Sequence, residues 1–213
     1  MDGDRQIRER QFWDKFAVKY DSFMKNLQPA YDMIVQKIAR YVEPSSDILE
    51  VAVGTGIIAS RLAPLANRVC ACDISPEMVK VAREKMEKLG LGNVELSVQD
   101  AYDLDYPPES FDAVIASNVL HVMIHPEKTL ASVQRVLKAD GVFIAPTYCH
   151  GDSLKSRAIS WLMSLAGFKA FHKWSVESFR IFLAANHYEI IEFEVIRDKI
   201  PLVFAAARKD KAP

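Results

Sequence analysis

Long apolar runs are missing from this 213-residue chain: nowhere do about 18 uncharged apolar residues follow one another, which argues against a transmembrane helix. The opening stretch from Met1 to Trp13 has no apolar run after its charges, so it does not read as a secretory leader. Cysteine is scarce and odd in number, at Cys70, Cys72 and Cys149, which suggests reduced thiols and a cytoplasmic home rather than a disulfide framework. Cys70 and Cys72 alternate inside an apolar run, so both read as small core residues on one face of a strand, and no second ligand pair nearby suggests a metal. A charge excess is absent too. With 27 basic and 28 acidic residues the net charge is -1, and nucleic acid is not expected as the main partner. No internal repeat stands out.

What is present is apolar material, half of the residues, enough for one full core, and the chain reads as a single domain over 1–213. The first 43 residues read as helical. Phe12, Phe16, Tyr20 and Phe23 form one stripe; Pro29 opens a second helix whose stripe is Tyr31, Ile34, Val35, Ile38 and Val42. The middle alternates. Strands are expected at Ile48–Val53, Arg68–Ile74, Val94–Val98, Phe111–Ser117 and Val142–Thr147, with helices at 57–65, 75–89 and 126–137 and a turn at Ala139 to Gly141. Ser75, Pro76 and Glu77 make a strong helix start, and Gly90 a stop. Helices are expected again at 152–171 and 175–186. Two β-rich runs follow, Tyr188–Arg197 and Ile200–Ala206. Their connector, about Asp198 and Lys199, is too short for a crossover, so they must pair antiparallel. The expected fold is α/β: a Rossmann-like, seven-stranded, mostly parallel sheet with helices on both faces and the last strand antiparallel.

Ligands of such sheets gather at the carboxyl ends of the strands. There the sequence places Glu50 before the turn Gly54, Thr55 and Gly56, then Asp73, then Asp100 and Ala101, then Ser117, Asn118 and His121. The glycine turn and the acid about 20 residues on also satisfy the dinucleotide fingerprint. Glu50 separates the ligands: it would repel a pyrophosphate and favours the positive sulfonium and ammonium of S-adenosylmethionine. Asp73 suits ribose hydroxyls and Asp100 an adenine amino group; Ile74 could cover the adenine face. The blander readings are a tight turn for the glycines, a solvated loop for Asp100 among Asp103 and Asp105, and core for Ile74.

The run from Ile48 to Gly56 resembles the first motif of class I methyltransferases, and Ala71 to Met78 the second. Gln99 to Ala101, Ser110 to Asp112 with Asn118 to His121, and Leu137 to Phe143 are similar to the next three, in order. The resemblance covers roughly 12–208 and is nearest the subgroup that includes ubiquinone/menaquinone and small-molecule methyltransferases. It implies S-adenosylmethionine as cofactor, held by Glu50, Ala52, Gly54, Gly56, Asp73, Ile74, Asp100, Ala101 and Asn118. One departure is Ala52, where the family usually has glycine; a positive φ there would cost something like 1 kcal/mol.

Methyl transfer asks the protein mainly for alignment and a dry site. His121, His150 and Tyr20 are the candidate bases, each with a structural role as the alternative; His125 and a Cys149–His150 nucleophile pair are weaker. The acceptor site is expected between an N-terminal helical lid, residues 1–43, and a helical segment at 148–174 that carries Trp161, Leu162, Met163, Phe168, Phe171 and Trp174 among basic residues. That composition suits a small-molecule or lipid-like acceptor, or peripheral contact with a membrane. Two other functions stay open from sequence: a nicotinamide-dependent oxidoreductase and a non-catalytic cofactor-binding partner protein. Oligomeric state is not legible.

Overall fold

β1 (Asp47–Val51) is buried at every position after its first, as a strand with sheet on both sides must be. In the computed structural model, which describes residues 2–24, 28–165, 170–196 and 200–210, β1 pairs in parallel with β2 (Arg68–Asp73) on one side and β4 (Phe111–Ile115) on the other. β3 (Val94–Val98) lies outside β2, and β5 (Leu137–Ile144) outside β4, all parallel. β8 (Leu202–Lys209) then runs antiparallel between β5 and β7 (Tyr188–Ile196). The antiparallel strand is therefore the expected one, and β7 outside it runs with the parallel set. A two-residue strand, β6 (Thr147–Tyr148), continues β5 along the far part of β8. Asp198 and Lys199 lie outside the described residues.

The helices fall on both faces. α2 (Gln28–Ile38) and the short α3 (Ala59–Leu62) bury Tyr31, Ile34, Ile38 and Leu62 against Ile48, Val69, Ala71 and Ile144; α4 (Pro76–Leu89) adds Met86. α5 (Pro126–Val136) and α7 (Val176–Ala185) bury Leu130, Val133, Phe179 and Leu183 against Leu49, Cys70, Cys72, Val114 and Phe143. Cys70 and Cys72 thus share one core face, as their alternation requires.

Local chemistry explains the boundaries. Ser75 Oγ accepts from Met78 N at 3.1 Å, and Gly90 closes α4 at φ 66°. The expected helix at 57–65 is shorter, because Pro64 has no N–H and the chain tightens into a 3-10 turn at Ala63–Leu65. The expected turn at Ala139 to Gly141 is instead a bulge inside β5. Leu137 already pairs with Phe111, yet Ala113 pairs with Val142, so the intervening residues bow out of the ladder. At the two ends, α1 (Asp2–Met24) is one long helix, and α6 (Leu154–Leu165) is shorter than the expected 152–171; Ala170 to Trp174 are not helical. The side chains of Phe23 and Met163, and all of Phe168, lie outside what is described.

Candidate active site

The carboxyl ends of β1, β2 and β4 open into a cleft that is partly open to solvent. Tyr20, Ala52, Gly54, Asp73, Ile74, Asp100, Ala101 and Asn118 line it, eight of the twelve residues singled out from sequence. Glu50 lies next to it, in a smaller cavity that shares Tyr20 and Ala52 with the cleft. Gly56 stands behind the wall: at φ 77°, a Cβ there would come within 2.5 Å of the Met86 methyl and 3.2 Å of Ala82, so this glycine lets α4 pack close. Ala52 does adopt the left-handed conformation, φ 54°, and so does Asn118.

The acids are held differently. Asp73 accepts from Gly54 N through Oδ2 and from Ser75 N through Oδ1, both at 2.9 Å. Burial pushes its pKa up to about 6 despite those bonds. Glu50 is buried, and burial raises it to about 8; a bond from the Ala59 backbone and the nearby Lys85 pull the other way, while Asp73 adds to the rise. Among the described residues its Oε2 has no hydrogen-bond partner, and neither has the buried Oδ1 of Asn118. Asp100 accepts from Gln6 Nε2 at 2.8 Å, from Tyr102 N at 3.1 Å and from the Arg5 guanidinium.

Those last contacts reveal a wall that short-range sequence patterns do not show. α1 lies across the strand ends. Arg5 is buried between Asp100 and Glu9, with its guanidinium 3.9 Å from the Tyr102 ring centre. Asp14 accepts from Ser75 Oγ at 2.6 Å. Glu9, Trp13 and Tyr20 face the cleft from the same helix. Their spacing of four and seven was a usable signal; the pairing of Arg5 with Asp100, far apart in sequence, had none. The hydroxyl of Tyr20 is hydrogen-bonded to Tyr31, which also accepts from Asn118 Nδ2 at 3.4 Å. Burial lifts Tyr20 well above the usual phenol range, with Tyr31 and then Asp73 and Glu50 adding to it.

His121 and His150 are not among the residues that line the cleft. Their rings sit 5.0 Å apart, both nearly inaccessible. Burial lowers His121 to about 3, helped by His150 and His172, and lowers His150 to about 4, helped by Lys173. Both are neutral at physiological pH and weak as bases. Trp161 and Leu162, on the segment expected to close the acceptor site, are 61% and 63% exposed, and among the described side chains of α6 the buried ones are Ser156 and Ser160.

Comparison with known proteins follows the same geometry. A methyltransferase domain model matches residues 49–145, the stretch that supplies every strand end of the cleft. The ubiquinone/menaquinone biosynthesis C-methyltransferase of Bordetella avium is 30% identical over 199 residues, 84% of this chain and 76% of that one. The chain belongs to the class I S-adenosylmethionine-dependent methyltransferases. A phosphatidylethanolamine N-methyltransferase of Cereibacter sphaeroides is 41% identical over 97 residues, but the match spans only 44% of this chain and 46% of that protein. In fold it is similar to an S-adenosylmethionine-dependent methyltransferase of Methanosarcina mazei, with a TM-score of 0.69 at 21% identity over 81% of this chain and 96% of that one. The residues fit the family's cofactor. The carboxylate oxygen of Glu50 that has no partner among the described residues can take a positive group, and Asp73, whose oxygens accept from the Gly54, Ser75 and Ile74 backbones, keeps acceptor capacity for a further donor. Among the described residues, no helix is long and apolar enough to cross a membrane.

Proposed function

We propose that the protein transfers the methyl group of S-adenosylmethionine to a small-molecule or lipid-like acceptor. The observation that carries this is the cleft itself: the buried Asp73 lines it together with Trp13, Val119, Val122 and Met123, and the buried Glu50 lies in the adjoining cavity. The names of the relatives, one acting in quinone synthesis and one on a phospholipid, support the same acceptor class.

When bound, the cofactor supplies an electrophilic methyl on a positive sulfur. Glu50 gives up its proton to meet the positive end of the ligand, since an opposite charge nearby offsets the burial that raises it. Asp73 accepts from hydroxyls at the end of β2. Ile74 and Met78 offer apolar contact to a flat ring, and Asp100 accepts at the far end. Tyr20, held protonated, acts as a donor rather than a base. His121 and His150 pack against each other away from the cleft, and His121 O accepts from His172 N, so both serve the fold rather than the transfer. Their low basicity suits an acceptor that is already nucleophilic or loses its proton to solvent. α1 excludes water from the acceptor corner, as the lid read at 1–43.

The test is transfer of radiolabelled methyl from S-adenosylmethionine into a cell extract, then separated into lipid, small-molecule and protein fractions. Label is expected in the first two. Label confined to protein would overturn the acceptor class; no label above a heat-treated control would overturn the activity. The Asp73→Ala protein is expected to bind S-adenosylhomocysteine about 2–4 kcal/mol more weakly, having lost two charge-assisted bonds. Unchanged affinity in isothermal titration would remove Asp73 from the site.

A further inference from the structure

Helix α6 is built inside out. Among its described side chains the buried ones are Ser156 and Ser160, while Leu154 is 83% exposed, Trp161 61% and Leu162 63%. At about 100° per residue, Trp161, Leu154, Ala158 and Leu162 fall in one arc of about 100°, with Arg157 at one border and Lys155 at the other. Both cations are exposed. Between Asp152 and Glu177 the chain carries Lys155, Arg157, Lys169 and Lys173 and no acid at all, in a protein whose net charge is -1. Among the described residues none of Lys155, Arg157 and Lys173 forms an ion pair.

This outward face is held in place. Ser153 Oγ caps the helix by accepting from Ser156 N at 3.1 Å. The chain returns to its point of departure, where Gly151 N donates to Trp174 O at 2.8 Å, and His172 N to His121 O at 3.0 Å. A Cβ at Gly151 would lie 2.1 Å from Lys173 O, so only glycine permits the closure. Trp174 then packs on Phe179 and Phe182 at ring distances of 5.3 and 4.7 Å. Phe171, beside that base, is 43% exposed.

We propose that α6 docks the protein on the surface of a bilayer containing anionic phospholipid. An arc of leucine and tryptophan between two cations is what lying at the boundary of headgroups and acyl chains requires: apolar side chains enter by a few ångströms while lysine and arginine stay among the phosphates. A second copy of this chain is a poor occupant, because two such faces would bring like charges together. The inference does not depend on which acceptor is methylated. It would bring the cleft to lipid-dissolved acceptors, since α6 leaves the sheet a few residues after β6, at the strand ends.

The experiment is flotation of the full chain with phosphatidylcholine vesicles, with and without phosphatidylglycerol. Association is expected only with the anionic vesicles, weakening as salt is raised, with a blue shift of tryptophan emission. The Trp161→Ser, Leu162→Ser double variant should lose about tenfold or more of the partition constant, and so should Lys155→Glu, Arg157→Glu. All four positions are exposed, so each variant's thermal midpoint and S-adenosylhomocysteine affinity should match wild type. Failure of wild type to bind anionic vesicles, or equal binding by either variant, would overturn the proposal. So would a dimer of the wild-type chain that the tryptophan–leucine variant abolishes, because the face would then belong to a second copy. None of these readouts uses methyl transfer, so the docking and the activity can fail separately.

Discussion

At the scale of single residues, Ala52 is the most telling departure from expectation for a tight ligand turn. It holds φ at 54°, where a Cβ crowds its own backbone. Glycine would relieve that crowding but make the unfolded chain more flexible, so part of the gain is lost. Ala52→Gly is expected to stabilise the ligand-free protein by about 0.5–1 kcal/mol, raising the thermal midpoint by about 1–4 °C for a chain of this size. Calorimetry decides it; a lower midpoint would mean that the Ala52 methyl, which lines the cleft, matters more as packing than as strain. Positions such as Ala52, Asp73, Ser75 and Gly90 are readable in sequence because their chemistry is local: a turn, a strand end, a helix cap. Tyr31 was not, because as one residue of an apolar stripe it gives no sign that its hydroxyl faces Asn118.

At the scale of elements, α1 carries the clearest consequence. Arg5 and Gln6 occupy Asp100, Asp14 holds Ser75, and Trp13 and Tyr20 complete the cleft wall. A protein lacking residues 1–24 is expected to keep measurable affinity for S-adenosylhomocysteine, because Glu50, Asp73 and Asp100 remain, and to lose methyl transfer. The milder Arg5→Ala should speed both association and dissociation in stopped-flow binding, since the helix then holds Asp100 through Gln6 alone. Full transfer by the truncated, folded protein would show that α1 is no part of the acceptor corner. The parallel strands and their helices are legible because each is a local pattern repeated. The bulge in β5 is not: Ala139, Asp140 and Gly141 have turn chemistry, and only the pairing of Leu137 with Phe111 turns that chemistry into a bulge. The direction of α6 is equally hidden, since its stripe says which residues share a face and not which way the face looks.

At the scale of the molecule, the buried titratable groups set an unusual stability profile. His121 and His150 are held neutral in the fold, so the unfolded chain binds more protons between about pH 4 and pH 6.5, and stability falls as pH drops through that window. Glu50 and Asp73 act with the opposite sign. Their folded forms keep a proton that the unfolded chain releases, so stability falls as pH rises through 6 for Asp73 and towards 8 for Glu50. The ligand-free protein should therefore be most stable at about pH 6, and above it lose on the order of 1 kcal/mol by pH 8, the histidines offsetting part of the Glu50 loss. Thermal midpoints across this range test it. Glu50→Gln should remove the alkaline fall, and His121→Asn should flatten the acid one. An alkaline limb that persists unchanged in Glu50→Gln would show that Glu50 is already ionised in the fold.

The place of β8 has a further consequence, for the order in which the molecule can be made. Among the described residues β7 pairs with no strand but β8, and β5 shows an open edge until β8 fills it. A nascent chain that has emitted everything up to Ile196 thus carries two unsatisfied strand edges at once, each a template for a neighbouring chain on the same messenger. The glutamates of β7, at 189, 192 and 194, put charge along one of them. β5 has no such guard over Val142 to Ile144, so the interval between the emergence of β5 and that of β8 is when this protein would most need a chaperone.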